Sequence, residues 1–313
     1  MGTLLFGTGG SALNLLKNLP EHHDYLAAVD NDKSKHGMVF QGLQIISPSE
    51  ISHYEYDKIM IACYWEGTIK KQLIEELGIA PEKVITPHKK YFKNAGENLH
   101  PFQHPPTLAL AHKIILILCG SAHAAQVPLH IDYGTLLGIM RDDDLISWDD
   151  DIDLAGDVVD AEKIEKLLLD RIGGIDEGVK WDIQKSVDVS GRILQFSISF
   201  VPKPGIDYKQ FPISVAMKGV DDGMAMKLCS FGAWSTPAFH TATLDTLCWK
   251  DTDIFIPSDC DGYLRFTYGN WHTPKKDLSV GEGENWKTVP VEKITQAHVT
   301  NYSIYSTDSL PTH

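Results

Sequence analysis

The sequence predicts an α/β protein of two domains, a doubly wound parallel-sheet domain followed by a larger α+β domain. Three observations carry this. Strand and helix signals alternate over residues 3–86, the pattern of a parallel sheet with helices on its faces. Asn94 to Thr107 (NAGENLHPFQHPPT) holds three prolines and two asparagines and suits neither helix nor strand. Beyond it, strands and helices mix without strict alternation. The predicted boundaries are residues 1–93, a linker at 94–107, and residues 108–313.

In the first domain Thr3–Phe6 is a short apolar strand, Gly7-Thr8-Gly9-Gly10-Ser11 a turn, and Ala12–Leu19 a helix. Tyr25–Val29 is a second strand, ending at Asp30. Lys58–Cys63 is a third, Thr68–Leu77 a helix stopped by Gly78, and Lys83–Thr86 a fourth strand. In the second domain Leu108–Ala125 and Glu162–Leu169 read as helices. Leu129–Thr135, Asp151–Leu154, Arg192–Val201 and Ile213–Val220 read as strands.

Composition narrows the function. The chain has 313 residues, enough to bury a core without disulfides or a structural metal. It holds 28 Lys and Arg against 42 Asp and Glu, a net charge of −14. Such a surface lacks the basic face that a nucleic-acid binder needs to release counterions. The acidity is concentrated after residue 93, where the balance is −13 against −1 before it. Five cysteines, at 63, 119, 229, 248 and 260, include no C-x-x-C pair and imply a reducing compartment. The N-terminus runs straight into a glycine turn and does not resemble a signal peptide. The longest apolar run, Ile114 to Cys119, is too short to cross a bilayer. The expectation is a cytoplasmic protein without a transmembrane segment, free or peripheral to the inner face of the membrane.

The turn Phe6-Gly7-Thr8-Gly9-Gly10-Ser11-Ala12 lies between a strand and a helix. Gly7, Gly9 and Gly10 allow close backbone approach, and Asp30 ends the next strand where a ribose-binding acid would lie. This resembles the small Rossmann-like domain at the front of some sugar-nucleotide-modifying and acyl-transferring bacterial enzymes. Two readings stay open, a nucleotide site at these four residues and a packing or oligomerising layer. The domain ends near residue 93, short for a complete dinucleotide site, and no Tyr-x-x-x-Lys pair follows Asp30. Both facts favour the second reading.

The strongest chemical signal lies downstream. Residues 142–153 carry seven aspartates and no Lys or Arg. Like charges packed together destabilise unless they are solvated or hold cations. Asp142 to Asp144 read as a wet turn, whereas apolar Trp148, Ile152 and Leu154 bracket the later group. If 149–154 is extended, Asp149, Asp151 and Asp153 project from one face. Alternate strand residues lie roughly 6.5–7 Å apart, a spacing that suits two divalent ions ~3.5–4 Å apart. Gly134-Thr135 upstream lets backbone approach a phosphate. A helix–loop–helix calcium loop is excluded by spacing, because Gly156 comes too late and position 160 is Asp.

The string GTLLG, then Arg141, then I-x-WDDDID resembles the hallmark of the LicD family, whose relatives include fukutin and fukutin-related protein. A second block, Ile256-Pro257-Ser258-Asp259, Tyr263-Leu264-Arg265 and Tyr268 to Pro274, resembles that family's ending. Together the motifs span roughly residues 108–278. The resemblance implies a nucleotidyltransferase fold in the second domain. It also implies transfer of phosphocholine or a polyol phosphate from a CDP-linked alcohol donor to a glycan hydroxyl, in polysaccharide biosynthesis or modification. Carried over position by position, Asp151 and Asp153 match the metal pair for Mg2+ or Mn2+, and Asp149 adds a third acid. Gly134 and Thr135 match the Gly-Thr beside the donor phosphates, and Arg141 matches a phosphate-binding Arg. The sequence departs at Ser147, where Pro is usual, and at Tyr133, where a small residue is usual. The later carboxylate falls first to Asp207 and next to Asp188. Tyr133, Trp148, Trp234 and Trp271 are read either as a cage for a quaternary ammonium or as core. Other readings keep part of this pattern, namely NMP transfer from an NTP to a small molecule and a non-catalytic nucleotide-binding scaffold. The first domain offers a surface for a homo-oligomer.

Overall fold

The computed structural model describes residues 2–19, 23–63, 65–93, 100–229, 232–274, 285–287 and 300–307. The chain divides into two compact units, one of residues 1–95 with 275–283 and one of residues 96–274 with 284–313.

The first unit is built on β1 (Gly2–Phe6), α1 (Gly10–Asn18), β2 (Asp24–Val29), β3 (Val39–Phe40), β4 (Leu43–Ile46), β5 (Lys58–Ile61), α2 (Glu66–Lys71) and β6 (Val84–Ile85). The sheet order is β3-β4-β2-β1-β5-β6, parallel except at the β3–β4 hairpin. Leu4, Leu5 and Phe6 are all fully buried, as a strand covered on both faces requires. Their alternation sorts the core. Leu5 packs with Ala12 and Leu15 of α1, and Leu4 and Phe6 pack with Ile69 and Leu73 on the other face. The turn after β1, the helix after it and the parallel sheet agree with the sequence reading. The β3–β4 hairpin is an addition, because two-residue strands leave too little periodicity to read.

The second unit contains α3 (Pro105–Ala124), β7 (His130–Ile131), α4 (Tyr133–Asp142), β8 (Ile152–Asp157), α5 (Ala161–Arg171), β9 (Val179–Val187), β10 (Ile193–Pro202) and β11 (Ile213–Asp221). There follow β12 (Met224–Cys229), β13 (Gly232–Pro237), α6 (Phe239–Ala242), β14 (Leu244–Trp249), β15 (Thr252–Pro257), α7 (Cys260–Tyr268), β16 (Trp286–Lys287) and β17 (Thr300–Ser306). The main sheet runs β14-β15-β7-β8-β11-β10-β9-β17, and β12, β13 and β16 extend it from β11. It is mixed, with β8–β11 and β7–β15 parallel and most other pairs antiparallel. This is an α+β domain.

Three expectations are corrected. The segment Leu129–Thr135 is not one strand, since β7 stops at Ile131 and α4 begins at Tyr133. Asp132 ends the strand by capping the helix, its side chain accepting the Tyr133 N–H at 2.9 Å. The strand read at Asp151 begins at Ile152. Helix α3 begins at Pro105, inside the segment read as linker. Proline at the first helical position lacks only an N–H that would have no partner there. Residues 94–99 of that linker lie outside the described residues. Among the described residues α3 alone is long and apolar enough to cross a membrane. Its Leu110, Ile114, Ile115, Leu118 and Cys119 are buried in the second unit's core.

Candidate active site

The site forms where β7 hands over to α4 and the aspartate loop enters β8. Two backbone ties lock these segments together. Asp132 N–H donates to the Asp153 carbonyl at 3.0 Å, and Asp153 N–H donates to Thr135 Oγ1 at 2.9 Å. Thr135 is buried and engaged in this tie. Gly134 is closely packed, because a Cβ there would overlap the Asp149 carboxylate. Of the two residues expected beside donor phosphates, Thr135 thus ties the aspartate segment to the start of α4 and Gly134 leaves room for the Asp149 carboxylate. Tyr133 sits between them and Asp132 at a φ of +41°. That left-handed setting is strained for a bulky residue by about 1–3 kcal/mol.

Ligand atoms of Asp149, Asp150 and Asp151 lie within 4.8 Å of one another. The three form a loop and not an extended strand, so the alternation expected from Asp149 begins only at Ile152. Asp150 therefore joins Asp149 and Asp151, and Asp153 stands outside this group. Asp153 accepts a hydrogen bond from Ser214 Oγ at 2.8 Å, its register neighbour on β11. Burial raises the Asp153 pKa, with Asp132 and Asp150 adding to the rise and the Lys227 ammonium opposing it. Tyr268, the last residue of α7, is held protonated well above its ordinary pKa by burial, then by the fields of Asp153, Asp132, Asp149 and Asp151. The second sequence block thus reaches the first through Tyr268. Oxygen donors from clustered carboxylates fit a hard divalent ion such as Mg2+ or Mn2+.

A buried polar cluster lies behind these acids. Lys218 Nζ pairs with Asp132 Oδ2 at 2.5 Å and donates to Tyr263 Oη at 2.8 Å. Tyr263 Oη in turn donates to Asp132 Oδ1. Asp132 is fully buried, and the Lys218 ammonium helps hold its pKa below the ordinary value against burial. His130, on β7, is buried with no hydrogen-bond partner on either ring nitrogen. Burial lowers its pKa to about 4. Sequence reasoning missed Asp132, Lys218 and Lys227. The usable signal for Lys218 was a lone lysine inside the otherwise apolar run ISVAMKGV.

The other predicted residues fall elsewhere. Arg141 forks onto Asp142, with Nε–Oδ1 at 3.1 Å and Nη2–Oδ2 at 2.7 Å. Its guanidinium also lies 5.9 Å from the Trp148 ring centre. Asp207 is exposed in a loop and pairs with Lys209 at 2.7 Å and His104 at 3.3 Å. Asp188 closes the β9–β10 turn by accepting from Ser190 and Arg192. Neither is in the Asp149–Asp151 group, because each is committed to neighbours in its own loop. Of the four aromatics, Tyr133 and Trp234 meet edge to face at 6.1 Å. Trp271 instead stacks on His272 at 3.8 Å and donates its indole N–H to Asp261.

In the first unit the glycine turn is held from within. Gly7 has a φ of +112°, and a Cβ there would meet the Ala62 carbonyl oxygen at 3.3 Å. A Cβ on Gly9 or Gly10 would meet nothing within 4 Å. Asp30 is buried and accepts from the Thr8 N–H at 3.1 Å and from the Thr8 hydroxyl. It also pairs with Lys35 at 3.1 Å. The acid read as a ribose partner is thus the clasp of the turn.

Residues 126–236 match the family model for the LicD/FKTN/FKRP nucleotidyltransferase domain, and residues 2–85 match the C2185-like N-terminal model. The 126–236 part of the chain is thus similar to LicD nucleotidyltransferase domains, which suggests a transferase. No curated protein matches significantly. Among solved structures, UDP-D-quinovosamine 4-dehydrogenase from Vibrio fischeri is 24% identical over 27% of this chain and 74% of its own, with a TM-score of 0.21. An oxidoreductase from Thermotoga maritima is 12% identical over 89% and 90%, with a TM-score of 0.22. A DAP dehydrogenase from C. glutamicum is 8% identical over 69% and 82%, with a TM-score of 0.24.

Proposed function

We propose, from the LicD domain and the site built within it, that this protein moves a phosphorylated alcohol from a CDP-linked donor to a glycan hydroxyl. The observation that carries the reading is the gathering of Asp149, Asp150 and Asp151 beside Asp153 and Tyr268. These carboxylates would hold Mg2+ or Mn2+, which when bound offsets the charge of the donor pyrophosphate. Lys227, whose field reaches Asp153, adds a protein cation on the same side. Tyr268 stays protonated at neutral pH and donates a hydrogen bond to a donor oxygen. The α4 start, locked to β8 through Asp132 and Thr135, keeps the acids in register during the reaction. The acceptor oxygen forms a bond to the phosphorus bearing the alcohol. The bond from that phosphorus to the bridging oxygen breaks, CMP leaves with the electron pair, and a site carboxylate takes the acceptor proton.

The test is product analysis with CDP-alcohols, a glycan acceptor and Mg2+ or Mn2+. CMP and a phosphorylated glycan are expected, and Asp151→Asn should lower the rate at least ~10²-fold, the scale of one strong electrostatic stabiliser. Release of pyrophosphate from CTP, or an Asp151→Asn enzyme above a tenth of wild-type activity, would overturn the reading.

A further inference from the structure

The sheet that carries Asp153 presents two opposite faces along β8, β11, β10 and β9. Ile152, Ile213, Ile198 and Ile183 form one row across these strands, and all four are buried in the second unit's core. Successive strand residues point to opposite faces, so the adjacent row points the other way. That row runs from Asp153 on β8 to Ser214, Ser197, Gln184 and Ser303 on β11, β10, β9 and β17. Strands lie about 4.8 Å apart, so the row extends roughly 19 Å from Asp153 to β17. Its hydrogen bonds stay on this side of the sheet. Ser214 Oγ donates to Asp153 at 2.8 Å, Gln195 Nε2 to Ser197 Oγ at 2.9 Å, and Ser186 Oγ to Asn301 Oδ1 at 2.7 Å. Gln184, Ser199, Asn301 and Ser303 are exposed.

What this face can hold follows from its chemistry. Charged residues make up 22% of the chain, yet the Ser197 row and its two neighbours on the same side hold Asp153 and Asp182 as their charges among the register partners. The other side chains there are mainly serines, glutamines and Asn301. A nucleic acid or an anionic lipid needs clustered cations, and a protein partner needs an apolar centre. This face offers neither. Hydroxyls and amides on a sheet suit a neutral polyhydroxyl chain, which replaces their water hydrogen bonds without desolvating a charge. The face also runs without a break to Asp153, which follows the Asp149–Asp151 group by two residues and feels the field of Asp150. We propose that the acceptor glycan binds here as a neutral chain laid across β10, β9 and β17, with its reacting end at Ser214 and Asp153. The role of acceptor rests on the transferase reading above, and the preference for a neutral glycan rests on the face itself.

The experiment probes the full chain, without donor, on a printed array of neutral and anionic oligosaccharides, followed by calorimetry with the best neutral ligand. A neutral oligosaccharide should bind, and the double variant Gln184→Val/Ser199→Val should weaken it about ten-fold or more, the scale of two lost hydrogen bonds. Valine suits exposed strands better than Ser or Gln, so the melting temperature of that variant should hold or rise. Lost contacts are thereby separated from a lost fold. Ser199→Thr keeps the hydroxyl and should bind as wild type does. So should Gln44→Val, on β4 of the first unit. Preference for anionic oligosaccharides, no glycan binding, or binding undiminished in the double variant overturns the proposal. Should CDP-alcohols still yield CMP and a phosphorylated glycan in that case, the transferase reading stands and its acceptor binds elsewhere. Neutral-glycan binding that the double variant loses, in a protein that releases no CMP from any CDP-alcohol, defeats the transferase reading and leaves the glycan-binding face.

Discussion

Asp30 in the first unit and Asp149 to Asp151 in the second are acidic turns at the ends of interior strands, and their surroundings differ. Asp30 is buried and answered by its own chain, with Thr8 and Lys35 on its carboxylate. The three aspartates of the second unit are drawn together, their ligand atoms within 4.8 Å. A carboxylate saturated by its own loop stabilises that loop and has little left for a ligand. Clustered carboxylates repel one another, and a fold that holds them so suits a cation. Both turns follow a glycine-bearing strand–helix signal, so the difference lies in whether acids cluster and not in motif type.

The largest expected effect comes from Gly134. Gly134→Ala would drive the Asp149 carboxylate out of place, and transfer should fall on the order of 10²-fold. Gly9→Ala is its control, because open space surrounds that position and its φ of −91° suits any residue. Equal activity in the two variants would break the contrast. Next is Asp30→Asn, which removes the charge that clasps Thr8 and Lys35 and should destabilise the first unit by about 2 kcal/mol. Asp149→Asn should leave stability unchanged or raised. Hydrogen exchange over residues 2–93 and urea unfolding read both, and a neutral Asp30→Asn would show that the clasp contributes nothing.

The smallest effect is on pH dependence. Burial lowers the His130 pKa to about 4, against about 6.5 in an unfolded chain. Between these values the unfolded chain binds a proton that the folded one refuses. Stability of the second unit is therefore complete above pH 6.5 and falls as the pH drops toward 4, by about 2 kcal/mol at pH 5. His130→Leu should flatten that part of the slope in urea melts taken at several pH values. An unchanged slope would mean that carboxylates alone set the acid limit.

Much of this molecule is readable from local pattern. The apolar run at Thr3–Phe6, the glycine turn and the strand signal at Tyr25–Val29 determine a parallel α/β layer, because burial on both faces leaves a continuous apolar signature. The string WDDDID, bracketed by Trp148 and Ile152, determines where the charge is concentrated. Spacing alone could not choose its partners. Whether Asp150 or Asp153 joins Asp149 depends on where β8 begins, and that is set by its pairing with β11 and β7. Lys218 reaches Asp132 across 86 positions of sequence, and Tyr263 across 131. Arg141 turns to Asp142, and Asp207 turns to Lys209 and His104, because those partners lie nearest once the loops close. Periodicity and charge density act within a few residues and survive in the sequence. Ion pairs and shared cavities depend on distances between segments far apart in the chain, and only the folded sheet brings those segments together.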